Sequence, residues 1–493
     1  MHPPQTVPQL YAQALQAQQT GHIAQAAKLY GTILNHQPGH IPSYHQLAQL
    51  LQQNGDVQAA IRLMEIACSH APDHAQTYRH LGILLRLDGQ HDAAEQCYQK
   101  ALSLKPGDAA THAYYAKLLK DKGNLDEAVA QFTLATQHNT GNAAWFYDLA
   151  NTLHDLGRFP EADRTYQRAL TLQPEYAEAW YNYATTLFLT DQYDKAWDAY
   201  FWRHRLPNAP GTATLHPSPC WMGQELDGKT LLILSEQGVG DVWFFAHMLP
   251  DIATRAGCCI LALHESRHIP LFNRSFDNIE VIETETITDI SVDYHIALPD
   301  LGKYLRPVIT SIPEQSGYLQ ACPEKTAENR TRYQALGKKT LIGIAWHTTN
   351  QENALQLARN IPLSHWAPIL QLPDTQFISL QYGDHQEEIR AVEAQLGITI
   401  HTDTSVDALK SLDDFAAQVA ALNRVISIDN ATVHMAGALG IPTETLLPFV
   451  PNWRWGLGRN DCPWYPTMRL WRQPAPGNWE APLRTLQECL LSE

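Results

Sequence analysis

From Val7 onward the sequence repeats with a period of 34 residues, in blocks that begin at Val7, Ile41, Ala75, Ala109, Ala143 and Ala177. The eighth position of each block is small: Ala14, Ala48, Gly82, Ala116, Ala150, Ala184. The twentieth is always alanine, from Ala26 and Ala60 through Ala94, Ala128 and Ala162 to Ala196, and the twenty-fourth is large: Tyr30, Met64, Tyr98, Phe132, Tyr166, Tyr200. Two antiparallel helices can cross closely only where side chains are small, and a large side chain then fills the space beside the crossing. Pro38, Pro72, Pro106 and Pro174 close four blocks, where a proline stops the second helix. Such a chain has to stack helix pairs into a solenoid. Block six departs, with Arg203 in place of the usual alanine and Asn208 in place of the proline, which predicts an adapter to the next domain.

Six blocks in register resemble a tetratricopeptide array. Arrays of this kind present a groove lined by the first helix of each pair. Positions five, six, nine and twelve of the blocks place Tyr11, His45, Gln49, Gln52, Arg79, His80, Arg86, Lys117, Lys120, Tyr147, Asn151, His154, Tyr181 and Asn182 there. This mixture suits an extended or helical protein segment; the alternative is a solvated face without a ligand. No asparagine recurs at one position to clamp a peptide backbone.

The formal charge of −16 argues against a nucleic-acid partner and against a polybasic membrane contact. No apolar run approaches the ~18–20 residues of a membrane span. The opening residues lack the basic and apolar regions of a signal peptide. The 8 cysteines are scattered without a CxxC, so neither zinc nor a disulfide framework is expected, and a reducing cytoplasm is the natural setting.

Periodicity is lost between about Leu206 and Lys229, where Pro207, Pro210, Pro217 and Pro219 accumulate. Expected domains are therefore 1–210, 211–335 and 336–493. Thr230–Leu234 reads as a buried strand, followed by a turn at Gly238 and Gly240 and a helix; Cys259–His264, Ile279–Ile282 and Tyr294–Leu298 read as further strands of a parallel α/β sheet. Gly238-Val-Gly-Asp241 lacks the third glycine of a dinucleotide fingerprint. Its glycines would let backbone approach a ligand at the sheet edge. Asp241 would either accept a proton there or cap the following helix.

A polar stretch, Glu324 to Lys338, precedes a second α/β unit with strands at Lys339–His347, Gln376–Gln381, Ile398–His401 and Val425–Ile428, closed by Thr445–Leu447. After Ile428 comes a turn with Asp429, Asn430 and Ala431, then a helix carrying Thr432 and His434 in its first turn. A helix start at the carboxyl end of a parallel strand offers N–H groups and positive dipole to an anion; the alternative is an ordinary capped turn. Trp346, His347, Thr348, Thr349 and Arg359 are expected around the same edge, and Ser379 and Gln381 end a strand where they could meet a base or ribose. The run Pro451–Pro466, with three tryptophans and several Arg and Asn donors, reads as a cleft floor or as a packed lid.

Together with the array, the segments SEQGVGD, GIAWHTT, RNIPL, FISLQ, VISIDNATVHMAGALGIP and NWRWGLGRNDCPWYPTMRLWRQ resemble the bacterial tetratricopeptide-repeat glycosyltransferases. The catalytic part is similar to the heptosyltransferases and, more distantly, to protein O-GlcNAc transferases. The resemblance implies an α-solenoid followed by a GT-B fold of two Rossmann-like α/β halves, a nucleotide-sugar donor held mainly by the second half, and no metal or other cofactor. By position it implies that Asp241 is the base, that Thr348 and Thr349 contact phosphate, that Arg359 stands near the basic phosphate ligand, and that Asp429, Thr432 and His434 hold ribose and phosphates. His347-Thr348 stands where many relatives have Ser-Gly, Asn430 where many have threonine, and the first half is short. The implied acceptor is a Ser or Thr of a protein, flagellin among the candidates, recruited by the array. The competing reading is a scaffold or chaperone whose second part binds nucleotide sugar without turnover.

Overall fold

The computed structural model describes residues 6–207, 209, 216–348 and 358–493. It divides into two units, Met1–Glu175 and Tyr176–Glu493.

The first unit is built of five helix pairs among the described residues, from Val7–Gln19 with Ile23–His36 to Ala143–Asp155 with Phe159–Leu172. Each first helix ends at a glycine in the left-handed region: Gly21, Gly55, Gly89, Gly123 and Gly157 have φ between +73° and +84°. Ala26, Ala60, Ala94, Ala128 and Ala162 are fully buried at the crossings. In the third pair the need for a small residue is measurable, since a Cβ on Gly82 would lie 2.7 Å from the Tyr98 ring.

The groove cations of this unit are paired, three of the four between successive repeats. Arg86 meets Asp121 and Lys120 meets Asp155, each 35 residues on; Arg79 meets Asp108, and Lys117 meets Asp148 at 2.8 Å. His45 and His80 stack with centroids 5.1 Å apart, and Tyr11 packs edge-on to His40. Asn151 accepts a hydrogen bond from Tyr166, while Tyr147 stands on the Ala143–Asp155 helix.

The second unit begins with the sixth pair, Ala177–Leu189 and Tyr193–Tyr200, followed by a 3-10 turn, Phe201–Arg205. Phe188 stacks on Trp453 at 4.2 Å, and the Trp197 indole donates to the Arg306 carbonyl at 2.8 Å. Arg203 is fully buried between Glu236 and Asp300, each at 2.6 Å, so the departure in block six is a buried charge anchor. Tyr181 lies against Tyr200 here, with Asn182 beside it on the helix. Trp202 stacks on Trp180 and Trp221 is buried, whereas Met222 is exposed.

Two parallel sheets come next in the chain. The first contains β1 (Thr230–Leu234), β2 (Cys258–Leu263), β3 (Glu280–Glu283) and β4 (Tyr294–Ala297) in the order β3-β2-β1-β4. The second contains β5 (Thr340–Ala345), β6 (Thr375–Ser379), β7 (Ile400–His401), β8 (Arg424–Ile428), β9 (Thr443–Leu447) and β10 (Met468–Arg472) in the order β10-β9-β8-β5-β6-β7. Counted from its own first strand, that is the doubly wound order 3-2-1-4-5-6. β1, β5 and β8 are apolar and buried on both faces, as central parallel strands must be.

One expectation is corrected. The sheet does not close at Leu447: β10 pairs with β9 from Met468 to Arg472. It is an edge strand, burying Met468 and Leu470 while Arg469, Trp471 and Arg472 stay half exposed. The polar stretch after Cys322 is a helix, Pro323–Gln334, with Asn329 and Tyr333 buried. Tyr333 donates to Asp403 at 2.6 Å and accepts from Gln418 at 3.2 Å. No helix among the described residues is long and apolar enough to cross a membrane.

Candidate functional site

A cavity of about 430 Å³ lies where the carboxyl ends of β1, β5, β6 and β8 converge. Its size and place are those of a ligand cleft at the switch point of an open α/β sheet.

Each strand contributes through the turn that succeeds it. After β8, the Asn430 side chain caps the Ala431–Ala438 helix, accepting from the Thr432 N–H at 3.0 Å and donating to the His347 carbonyl at 3.2 Å. Asp429, immediately before the cap, is buried and pairs with Arg359 at 3.4 Å. Asp429, Asn430, Ala431 and His434 all border the cavity. Burial, reinforced by Arg454 and Arg359, pushes His434 well below the usual histidine range, so its ring is neutral at neutral pH. That ring stacks on Trp455 and meets the Tyr465 hydroxyl at 3.0 Å.

After β1 the left-handed residue is Gln237, at φ +66°, rather than a glycine. Its side chain donates to the Tyr200 hydroxyl and to Glu236. Gly240 serves a close approach of protein to protein: a Cβ there would lie 3.2 Å from the His434 ring and 3.3 Å from Ala431 Cα. Asp241 turns back to accept from the Gly238 N–H at 3.2 Å and forms an ion pair with Arg454. Arg454 is buried over the Phe244 and Trp453 rings at 4.8 and 5.1 Å. Its Nε has no acceptor among the described residues. Burial works against the guanidinium charge, but Asp241 together with Tyr200, Asp429 and Tyr465 outweighs it.

After β5, Thr348 borders the cavity with its N–H held by Asn360 at 2.8 Å. Thr349 lies outside the described residues. Of the remaining candidates, Trp346 is fully buried in the core and its indole donates to Glu388 at 2.8 Å. Gln381 is occupied by the backbone N–H groups of Trp346 and His347 at 2.9 and 2.8 Å. Ser379 is buried at the end of β6, and Thr432 is wholly buried with its hydroxyl unpartnered among the described residues. Those four stand behind the wall rather than in it.

The structure adds Arg454, Asn452, Arg267 and Tyr382 to the wall. The donor-rich run after Pro451 signals the first two. Its tryptophans Trp453, Trp455 and Trp464 are all buried, so they pack the lid rather than stack on a ligand. Three arginines against two aspartates, together with a helix start, make the cavity attractive to an anion.

The repeats and the two sheets define a tetratricopeptide-repeat protein that continues into a parallel α/β unit. Models described as tetratricopeptide repeat match residues 40–107, 85–147 and 147–211. Protein FlbA of Caulobacter vibrioides is 35% identical over 305 residues, which is 58% of this chain and 50% of FlbA. The chain thus spans about half the length of that relative. Among solved structures, Pseudomonas aeruginosa pilF matches 41% of this chain and 91% of its own at 16% identity and a TM-score of 0.38. A thermophilic TPR protein of Thermus thermophilus matches 37% and 99% at 21% identity and a TM-score of 0.32.

Proposed function

We propose that the chain is a GT-B glycosyltransferase that moves a sugar from a nucleotide-sugar donor to a Ser or Thr hydroxyl of a protein, with inversion and without a catalytic metal. The observation that carries this reading is the meeting, around one cavity, of an anion-attracting helix start from one sheet and a carboxylate from the other. The donor's phosphates would lie at the Ala431 helix start, with Arg359 and Thr348 as further donors. As the sugar–phosphate bond breaks, charge grows on the departing phosphate, where these groups stabilise it. The acceptor oxygen forms the new bond to the anomeric carbon and gives its proton to Asp241. Arg454 holds that carboxylate in place beforehand. The array supplies the protein acceptor, a flagellin-like protein being the candidate, and the cytoplasm is the setting.

Mass spectrometry of a candidate acceptor co-expressed with the wild-type chain and with Asp241→Asn tests the reading. Sugar-sized increments with the first and none with the second support it; identical increments remove Asp241 from the chemistry. One observation favours a second reading, a nucleotide-sugar-binding scaffold without turnover: the Asp241 carboxylate is engaged by Arg454. Calorimetric binding of nucleoside diphosphates without any increment on the acceptor would select it.

A further inference from the structure

Beside the cavity wall, three side chains of metal-ligating type converge, and the proposed transfer chemistry uses none of them. His347 lies just past β5, His385 stands immediately ahead of the Gln386–Leu396 helix, and Glu388 lies in that helix's first turn. His347 Nε2 is 3.2 Å and His385 Nδ1 3.8 Å from Glu388 Oε2, and one ligand atom from each residue lies within 4.8 Å of the others. An ion bound at roughly 2.0–2.2 Å in tetrahedral geometry holds its ligands roughly 3.3–3.6 Å apart. The two carboxylate distances bracket that spacing. The imidazoles, now stacked at 5.1 Å and 10°, need only turn toward the carboxylate to complete the set.

The surroundings already orient the ligands. Glu388 Oε1 accepts from the Leu363 N–H and Oε2 from the Trp346 indole, both at 2.8 Å. The His347 backbone is pinned on both sides, its N–H by Gln381 at 2.8 Å and its carbonyl by Asn430 at 3.2 Å. Outer partners of this sort fix the ligands of metal sites. The three side chains are 24–29% exposed, open enough for an ion to enter.

We propose that His347, His385 and Glu388 form a binding site for a zinc-class divalent cation at the rim of the cavity. Two imidazoles and a carboxylate are the donor set of open zinc sites, which keep a fourth position for water or ligand. Thr348 and Tyr382, both in the cavity wall, are one and three residues from the histidines. An ion here ties the turn after β5 to the helix after β6 and thereby sets the position of Thr348. None of the three side chains takes part in the proposed transfer, so metal-free transfer chemistry and this site are compatible.

The test uses the full chain, stripped with chelator and titrated with zinc alone by calorimetry, with cobalt absorption as a report of coordination geometry. One zinc per wild-type chain is expected, weakened about tenfold or more by His385→Ala and by Glu388→Gln. Glu388→Gln keeps the shape and one acceptor oxygen for Trp346 or Leu363, and an unchanged melting curve in chelator shows that the fold is intact. Absence of zinc binding in the wild type overturns the proposal. So does equal binding by wild type and both variants, which would place the ion on others of the 23 histidines. Neither readout involves sugar transfer, so this proposal and the glycosyltransferase reading can fail separately.

Discussion

Two turns of the same build, strand to helix, border one cavity and fill their helix starts in opposite ways. After β8 the cap is the neutral Asn430, and the acid, Asp429, stands outside the helix and pairs with Arg359. The positive end of that helix therefore remains available to a ligand anion. After β1 the acid, Asp241, sits inside the first turn and folds back onto the Gly238 N–H. That helix start is satisfied by its own carboxylate, which also pairs with Arg454. On the proposed reading, one turn is the anion receptor and the other the held base. The two carboxylates stand four positions apart relative to their helix caps, one residue before Asn430 and three after Gly238.

The comparison breaks first at Asp241. Asp241→Asn keeps the shape and an acceptor for Gly238 but removes the base, and transfer should fall by about 10²–10⁴-fold while nucleotide affinity is retained. Nucleotide affinity falling with the rate would mean that both turns serve the anion. Next in size is Arg359→Ala, which should weaken a nucleoside diphosphate by about 1.5–3 kcal/mol, the range for hydrogen bonds to a charged group. Calorimetry reads it, and unchanged affinity would move the phosphates away from the β8 turn.

A pH dependence separates the turns as well. His434 is buried and neutral in the folded chain, its proton affinity lowered well below the ordinary value near 6.5. Above pH ~6.5 both states are neutral and it contributes no slope. As pH falls below that, the unfolded chain takes a proton that the folded chain refuses, and stability drops by up to roughly 1.4 kcal/mol per pH unit. His247 and His268, each pushed down to about 3 by burial, act in the same sense. His434→Gln should remove its share of the acid slope in denaturant titrations at pH 7 and pH 5; an unchanged slope would place His434 in water.

What is legible in the chain alone depends on the range of the forces involved. Ala26 to Ala196 announce helix crossings because the crossing recurs every block. β1 and β8 announce themselves through unbroken apolar runs. The Pro323–Gln334 helix is hidden because only Asn329 and Tyr333 turn inward, leaving no apolar stripe to detect. Arg454 is legible only as one of several donors, since its partner Asp241 stands 213 residues away and nothing local names it. Trp346 and Gln381 look like wall residues because they end strands at the right edge. Their partners, Glu388 and the backbone of 346–347, become visible only once β5 and β6 are side by side.

The smallest expected effect tests where the two turns touch. Gly238 is in ordinary extended conformation, at φ −81° and ψ 168°, and a Cβ there would meet nothing nearer than Asp241 Oδ2 at 3.5 Å. Gly238→Ala should therefore stay within about 0.5 kcal/mol of wild type. At Gly240 two terms oppose each other. Alanine gains up to roughly 1 kcal/mol as a helix former, yet its Cβ would press on Ala431 Cα and the His434 ring. The neighbour is backbone as well as side chain, so it cannot simply turn aside, and overpacking of this kind costs about 1–3 kcal/mol. The net expectation for Gly240→Ala is a loss of about 1 kcal/mol in chemical denaturation, accompanied by weaker nucleotide binding as the β8 helix start is displaced. Equal stability of the two variants would mean that the turns approach less closely than 3.2–3.3 Å, and the base and the anion receptor would then belong to separate sites.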